Sequence, residues 1–195
     1  SPHFLYNTLN TIIALSYRDA EKTRKALNNL SIYFRGKLEL HLRKGLIPLE
    51  RELDMVIAYL EIEQMRYEEK LRVEYNIEEG LFAMIPPLTL QPLVENAVRH
   101  GIKPKEGGGK IKLSAKREAE DQIGIIIEDD GIGMTPEKRK ELLDENCERL
   151  GFKNVIKKIR ILKGASFELE SGSNEGTSIK IIIPEVKDYE SYYSG

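Results

Sequence analysis

Apolar residues recur at helical spacing from residue 3 to about 69, in three successive stripes. Leu5, Leu9, Ile12 and Ile13 make the first. Leu27, Leu30, Phe34 and Leu38 make the second, after a weak break at Arg18-Asp19. Leu49, Leu53, Val56, Ile57 and Leu60 make the third, after punctuation at Gly45 and Pro48. The spacing predicts helices over 3–17, 20–43 and 49–68, each burying its stripe against the others, as in a helical hairpin suited to bundling. A plain helical scaffold accounts for this much equally well.

From about residue 71 the period changes. Runs rich in β-formers occupy 71–77, 110–115, 122–128, 166–170 and 177–183, with helical stretches over 88–100 and 152–163 between them. Pro86-Pro87 suits a helix start and Gly101 a helix end. The chain therefore reads as α+β. A helical region over 1–69 precedes an α/β unit over 70–187, whose sheet is covered on one face by helices, and a polar tail fills 188–195.

Composition narrows the classes without choosing one. With 41% hydrophobic and 32% charged residues, the 195-residue chain is an ordinary globular sequence. The net charge of −2 gives no reason to expect nucleic acid or a bilayer surface as partner. A single cysteine, Cys147, excludes an internal disulfide framework. No apolar run approaches the roughly 20 residues a membrane helix needs. The opening Ser1-Pro2-His3, with the helical period already running, is expected of a piece of a longer protein.

Four places carry candidate chemistry. In the stretch 88–100, Leu90, Leu93, Val94 and Ala97 share one helix face, with Glu95, Asn96 and Arg99 opposite. A carboxylate beside an amide suits Mg²⁺ carrying phosphates, although the same pair is also found on solvated faces. Next, Asp129-Asp130-Gly131-Ile132-Gly133-Met134 follows the apolar run 123–127. A carboxylate at a strand end can accept a hydrogen bond from an exocyclic amine, while Gly-x-Gly lets backbone approach a ligand; the ordinary alternative is an Asp-Gly hairpin turn. Third, Gly151-Phe152-Lys153-Asn154 opens a basic helix, where free N–H groups and Lys153 could meet phosphate oxygens, while Lys157, Lys158 and Lys163 read as a solvated face. The polar stretch 135–149 before it suits a lid or an exposed short helix. Last, Glu175-Gly176-Thr177 enters the final apolar run, a hairpin turn by default.

The order and spacing of Asn96, Asp129-x-Gly131-x-Gly133, Gly151 and Gly176-Thr177 resemble the boxes of the GHKL nucleotide-binding fold of histidine kinases, gyrase and MutL. Residues 87–101, Pro-Leu-Thr-Leu-Gln-Pro-Leu-Val-Glu-Asn-Ala-Val-Arg-His-Gly, closely resemble the LytS/YehU type of sensor histidine kinase. Pro2-His3-Phe4-Leu5-Tyr6-Asn7 is similar to that family's phosphoacceptor motif, and residues 59–67 to its second dimerisation-region helix. His3, Asn7, Asn10 and Ala14 share a helix face opposite the first apolar stripe.

The resemblance implies a mixed sheet and an activity: ATP-dependent phosphorylation of His3, then transfer to an aspartate on a response-regulator receiver domain. It implies ATP and Mg²⁺ as cofactors, Asp129 on the adenine amine and Asn96 on Mg²⁺. Glu95 would hold the ion through water or serve as a base. Arg99, His100, Gly131, Gly133, Met134, Gly151, Phe152, Lys153, Asn154, Gly176 and Thr177 would surround the nucleotide. It also implies a homodimer through the helical region and the cytoplasmic portion of a membrane-anchored bacterial sensor. Three positions depart from the family: Asp130 replaces an asparagine, Arg149 a glycine, and Ser1 an asparagine. A conformational-clamp ATPase of the same superfamily and a dimeric interaction module with a degenerate pocket are the competing readings.

Overall fold

The computed structural model describes residues 2–143 and 150–189. Arg149, Cys147 and the end of the tail therefore lie outside the described residues. Helix α1 (Pro2–Ser16) is followed by α2 (Ala20–Leu42), the strand β1 (Ile47–Pro48) and α3 (Leu49–Tyr67). Asp19 caps α2 by accepting the Lys22 N–H at 2.9 Å, and that bond holds its carboxyl below the usual range.

The first two helices do not bury the stripes their sequence suggests. On α1 the inward residues are Phe4, Thr8 and Ile12, while Leu5, Leu9 and Ile13 are exposed. On α2 Ala26, Leu30, Tyr33 and Leu40 face inward, and Leu27, Phe34, Leu38 and Leu42 face out. Each helix thus carries two apolar faces, and only one of them packs within the chain. Residue 4 lies about 100° around the helix from residue 5, so the choice between faces is made by what Phe4 meets. Its ring packs 5.1 Å from Tyr33 and 5.4 Å from Tyr59, centroid to centroid, with the Arg66 guanidinium over it.

Helix α3 is covered on nearly every side. Leu49, Leu53, Met55, Val56, Ala58, Tyr59, Leu60 and Ile62 are buried, along with Glu52 and Glu63. It packs on α2 along one side and on the second half of the chain along the other. The second half contributes β2 (Leu71–Ile77), β3 (Met84–Ile85), α4 (Leu90–Asn96), β4 (Gly109–Ala119), β5 (Gln122–Asp129), α5 (Pro136–Leu143), α6 (Leu150–Ile161), β6 (Ser166–Gly172) and β7 (Gly176–Pro184). One continuous apolar core runs from Phe4 to Ile183.

Five strands form a mixed sheet in the order β2-β4-β5-β7-β6, with β2 parallel to β4 and every other pair antiparallel. The period-2 pattern is clean: Ile111, Leu113 and Ala115, Ile123, Ile125 and Ile127, and Ile179, Ile181 and Ile183 all point into the core. The opposite face carries ion pairs such as Lys112–Glu128 and Lys180–Glu118, which are exposed and add little stability. β1 pairs with β3, tying the end of the hairpin to the second half.

The helix expected over 88–100 begins later and ends differently. Leu88 has φ +56°, a left-handed conformation that β-carbon sterics disfavour, so α4 starts beyond it. From Ala97 to Ile102 it continues as a π-helical turn, a widening frequent at functional sites. Among the described residues no helix is long and apolar enough to cross a membrane.

Because Leu60 is fully buried on α3, Leu60→Ala is expected to cost about 2–5 kcal/mol. Urea unfolding should show a lower midpoint with an unchanged slope; a loss below about 1 kcal/mol would contradict the placement of α3 at the centre of the core.

Candidate functional site

The sheet and the helices on its inner face leave a cavity of about 190 Å³. Leu93, Asn96, Ala97, His100 and Gly101 line one wall, and Ile127, Asp129, Thr177 and Ile179 line the floor. Gly133, Met134, Lys138, Leu142 and Phe152 complete it. The spacing 93, 96, 97, 100, 101 is one face of a helix, so a single stretch of chain supplies the whole wall.

Asp129 ends β5 and is buried. Its Oδ1 accepts the N–H of Gly131 at 2.9 Å. Burial pushes its pKa up to about 6, against the opposing pull of that N–H. A side chain on Gly101 would run into the Asp129 carboxylate, and one on Gly131 would run into the Gly101 backbone. Gly133 (φ +63°) and Gly176 (φ +79°) adopt left-handed backbone and lie against the carbonyls of Gly172 and Asp129. Three of these glycines were read from the sequence as letting backbone close on a ligand. Of those three only Gly133 lines the cavity, whereas Gly131 and Gly176 close the backbone around Asp129 itself.

The remaining expected residues divide. Asn96, His100, Met134, Phe152 and Thr177 line the cavity with Asp129. Arg99 and Asn154 are exposed and Lys153 is half-buried, and none of the three is in the lining. Gly151 lies inside the first turn of α6 instead of preceding the helix. Asp130, where the family has asparagine, turns away from the cavity: it accepts the Lys110 N–H at 2.7 Å and pairs with Lys105 at 3.3 Å.

Glu95 does not sit beside Asn96 at the cavity. One residue is about 100° on a helix, and this rotation aims Glu95 at α2. There its Oε1 accepts from Gln91 Nε2 at 2.6 Å, from the Tyr33 hydroxyl at 3.1 Å and from Lys37 Nζ at 3.5 Å. Gln91 and Lys37 also donate to the Tyr33 oxygen, at 2.9 and 3.0 Å. Burial, with the Glu95 charge beside it, raises the Tyr33 pKa, keeping its hydroxyl a donor.

His3 stands on the exposed side of α1, with Asn7 Nδ2 3.0 Å from its Nδ1. A half-turn of that amide offers either a donor or an acceptor to the ring. Its neighbour Phe4 is the anchor described above, so the histidine is held at a fixed place on the hairpin by the residue next to it.

Several lining residues carried no signal of their own in the sequence. Leu93, Ala97, Ile127 and Ile179 read as core, and their place in the cavity follows only from the tertiary arrangement. Lys138 and Leu142 belong to the polar stretch expected to be either a lid or a short helix; its described part is helix α5, packed over the cavity and tied to β6 by Arg139 donating to the Ser171 carbonyl at 3.3 Å.

Comparison with known proteins matches residues 1–71 to the family described as "Histidine kinase". Residues 87–187 match the family described as "Histidine kinase-, DNA gyrase B-, and HSP90-like ATPase". YwpD of Bacillus subtilis (strain 168) is 39% identical over 183 residues, covering 93% of this chain and 66% of its own length. The sensor protein LytS of Bacillus cereus is 37% identical over 193 residues, covering 95% of this chain and 32% of its own. The chain thus spans about two thirds of the first relative and about a third of the second. Among solved structures, the histidine kinase domain of the Erythrobacter litoralis EL346 blue-light activated histidine kinase superposes with a TM-score of 0.57 at 19% identity, covering 84% of this chain and 75% of that one. Two matched segments that follow one another, a shared fold and an open cavity beneath α5 lead to one assignment: the chain belongs to the histidine kinase family, and its second half has the ATPase fold that the family shares with DNA gyrase B and HSP90.

Proposed function

We propose that the chain is the catalytic part of a sensor histidine kinase, which binds ATP in the cavity over Asp129 and phosphorylates His3. The observation that carries this is the buried carboxylate at the floor of a cavity with apolar residues on several sides. Leu93, Ala97, Ile127, Met134 and Ile179 offer flat apolar surface to a purine, and Asp129 offers an acceptor for its exocyclic amine. Asn96, His100, Lys138 and Thr177 supply the polar groups for the phosphates. Mg²⁺ would be held by the Asn96 amide together with phosphate oxygens, and it would offset the charge that develops on them. Glu95, engaged by three donors on the hairpin side, is assigned neither metal binding nor proton transfer.

For the transfer, the Asn7 amide oxygen turned toward Nδ1–H leaves the Nε2 lone pair of His3 outward. Nε2 attacks the γ-phosphorus in line, a P–N bond forms as the P–O bond to the β-phosphate breaks, and ADP leaves. The phosphoryl group then passes to an aspartate of a receiver domain. The exposed faces of α1 and α2, with Leu5, Leu9, Ile13, Leu27, Phe34, Leu38 and Leu42, suit a second copy of the helical region in a homodimer.

Incubation with γ-labelled ATP and Mg²⁺ tests the assignment. Acid-labile label in the protein, absent from His3→Gln, is the expected result. Label that resists acid, or steady phosphate release without labelled protein, would overturn it.

The raised pKa of Asp129 adds a pH dependence. The amine needs the ionised carboxylate, and the protonated fraction grows below pH 6. Affinity for ADP in excess Mg²⁺ is therefore expected to fall as pH drops through about 6, approaching tenfold per unit below it. Affinity that stays flat between pH 5 and 7 would contradict the role of Asp129.

A further inference from the structure

Lys158 reads in the sequence as part of a solvated basic face and nothing there marks Glu52, yet the fold brings the two to one turn. Glu52 comes from the middle of α3 and is fully buried. Its Oε1 accepts the N–H of Leu90 at 2.6 Å and of Gln91 at 3.2 Å, the first free donors of α4. Its Oε2 has no hydrogen-bond partner among the described residues. Lys158 comes from α6 and reaches the same turn from the other side, donating to the carbonyls of Pro87 at 2.8 Å and Leu88 at 3.2 Å. The turn is completed by Thr89, whose hydroxyl donates to the Pro86 carbonyl at 2.6 Å.

A carboxylate therefore holds the N–H side of segment 86–91 and an ammonium holds its C=O side. Between them Leu88 keeps a left-handed backbone, which a side-chain-bearing residue disfavours and which persists only where its surroundings enforce it. Five residues beyond Gln91, on the same helix, Asn96 enters the cavity. Phe152, six residues before Lys158 on α6, lines the same cavity. Burial raises the Glu52 pKa to about 7, against the pull of the backbone N–H groups and of Lys158, the charged side chain that faces it. The same burial lowers that of Lys158, against the pull of Glu52. Two groups kept in an unfavourable medium at one turn are what a demand for fixed geometry would leave behind.

We infer that Glu52 and Lys158 are positioning residues for nucleotide binding, acting through the turn 86–91 to set where Asn96 of α4 and Phe152 of α6 stand in the cavity. Because Glu52 belongs to the hairpin helix α3, the same clamp couples displacement of that helix to the cavity. This inference rests on the cavity being the nucleotide site.

The test uses the chain with Mg-ATP, with affinities from titration calorimetry and thermal midpoints measured without nucleotide. Glu52→Ala and Lys158→Met are each expected to weaken binding by about tenfold. Glu52→Gln, which keeps an oxygen for Leu90 and Gln91, should restore affinity to within about threefold of wild type. The double variant Glu52→Ala/Lys158→Met should bind about as weakly as the worse single variant, since both act on one turn. Amide exchange at Leu90 and Gln91 should speed up in Glu52→Ala. Lower midpoints with wild-type affinity well below the transition, or losses that multiply in the double variant, would overturn the inference while leaving the nucleotide site standing. Absence of binding by the wild-type chain would overturn both.

Discussion

Asp129 ends β5 with its carboxylate nearly out of water, and the parts of the cavity are arranged around that fact. A pKa displaced from the usual value to about 6 corresponds to about 3 kcal/mol of disfavoured charge at neutral pH. The fold accepts this cost, and three backbone features make room for the group: Gly101 leaves space for its oxygens, Gly131 gives it an N–H, and Gly176 lets β7 pass close to its carbonyl. Removing the carboxylate would stabilise an empty fold. Its retention makes sense where a ligand with an amine takes up the charge.

The same economy of space explains how the two halves relate. Helix α3 is at once the return arm of the hairpin and the outer layer of the α/β half, and its two buried carboxylates, about three turns apart, serve different partners. Glu63 pairs with Arg66 at 2.5 Å, with the Arg66 guanidinium over Phe4 beside His3, and Glu52 caps α4. Burial raises both carboxyl pKa values, with Arg66 opposing it at Glu63. Tyr33 and Lys37 of α2 meanwhile hold Glu95, the neighbour of Asn96. The histidine-bearing hairpin and the cavity are thus joined by buried polar contacts whose partners lie far apart in sequence. Such contacts are specific in geometry and costly to break singly.

What was legible in the sequence follows from locality. The β-rich apolar run over 122–128 predicted a strand, and a carboxylate followed by Gly-x-Gly marked its end as a place for close approach. Period alone put Leu90, Leu93, Val94 and Ala97 on the buried side of α4. The inward face of α1 was not legible, because Phe4 and Ile12 lie next to an equally apolar Leu5, Leu9 and Ile13, and only the aromatic cluster on the hairpin separates them. Glu95 and Asn96 read as a pair since they are adjacent, yet adjacency on a helix separates side chains by a quarter-turn and more. Glu52 sits in Glu50-Arg51-Glu52 and Lys158 in a basic helix, so nothing local distinguishes them from solvated neighbours. Leu88 gives no sign of a positive φ, a conformation that only the surrounding clamp imposes.

The central claim is that the cavity over Asp129 is a nucleotide site. Titration of Mg-ATP into the wild-type chain, Asp129→Asn and His3→Gln at pH 8 tests it directly. The account predicts saturable binding by the wild type, the same affinity in His3→Gln, and a loss of about tenfold or more in Asp129→Asn, where an amide replaces the acceptor. No binding by the wild type, or equal binding by Asp129→Asn, would contradict it.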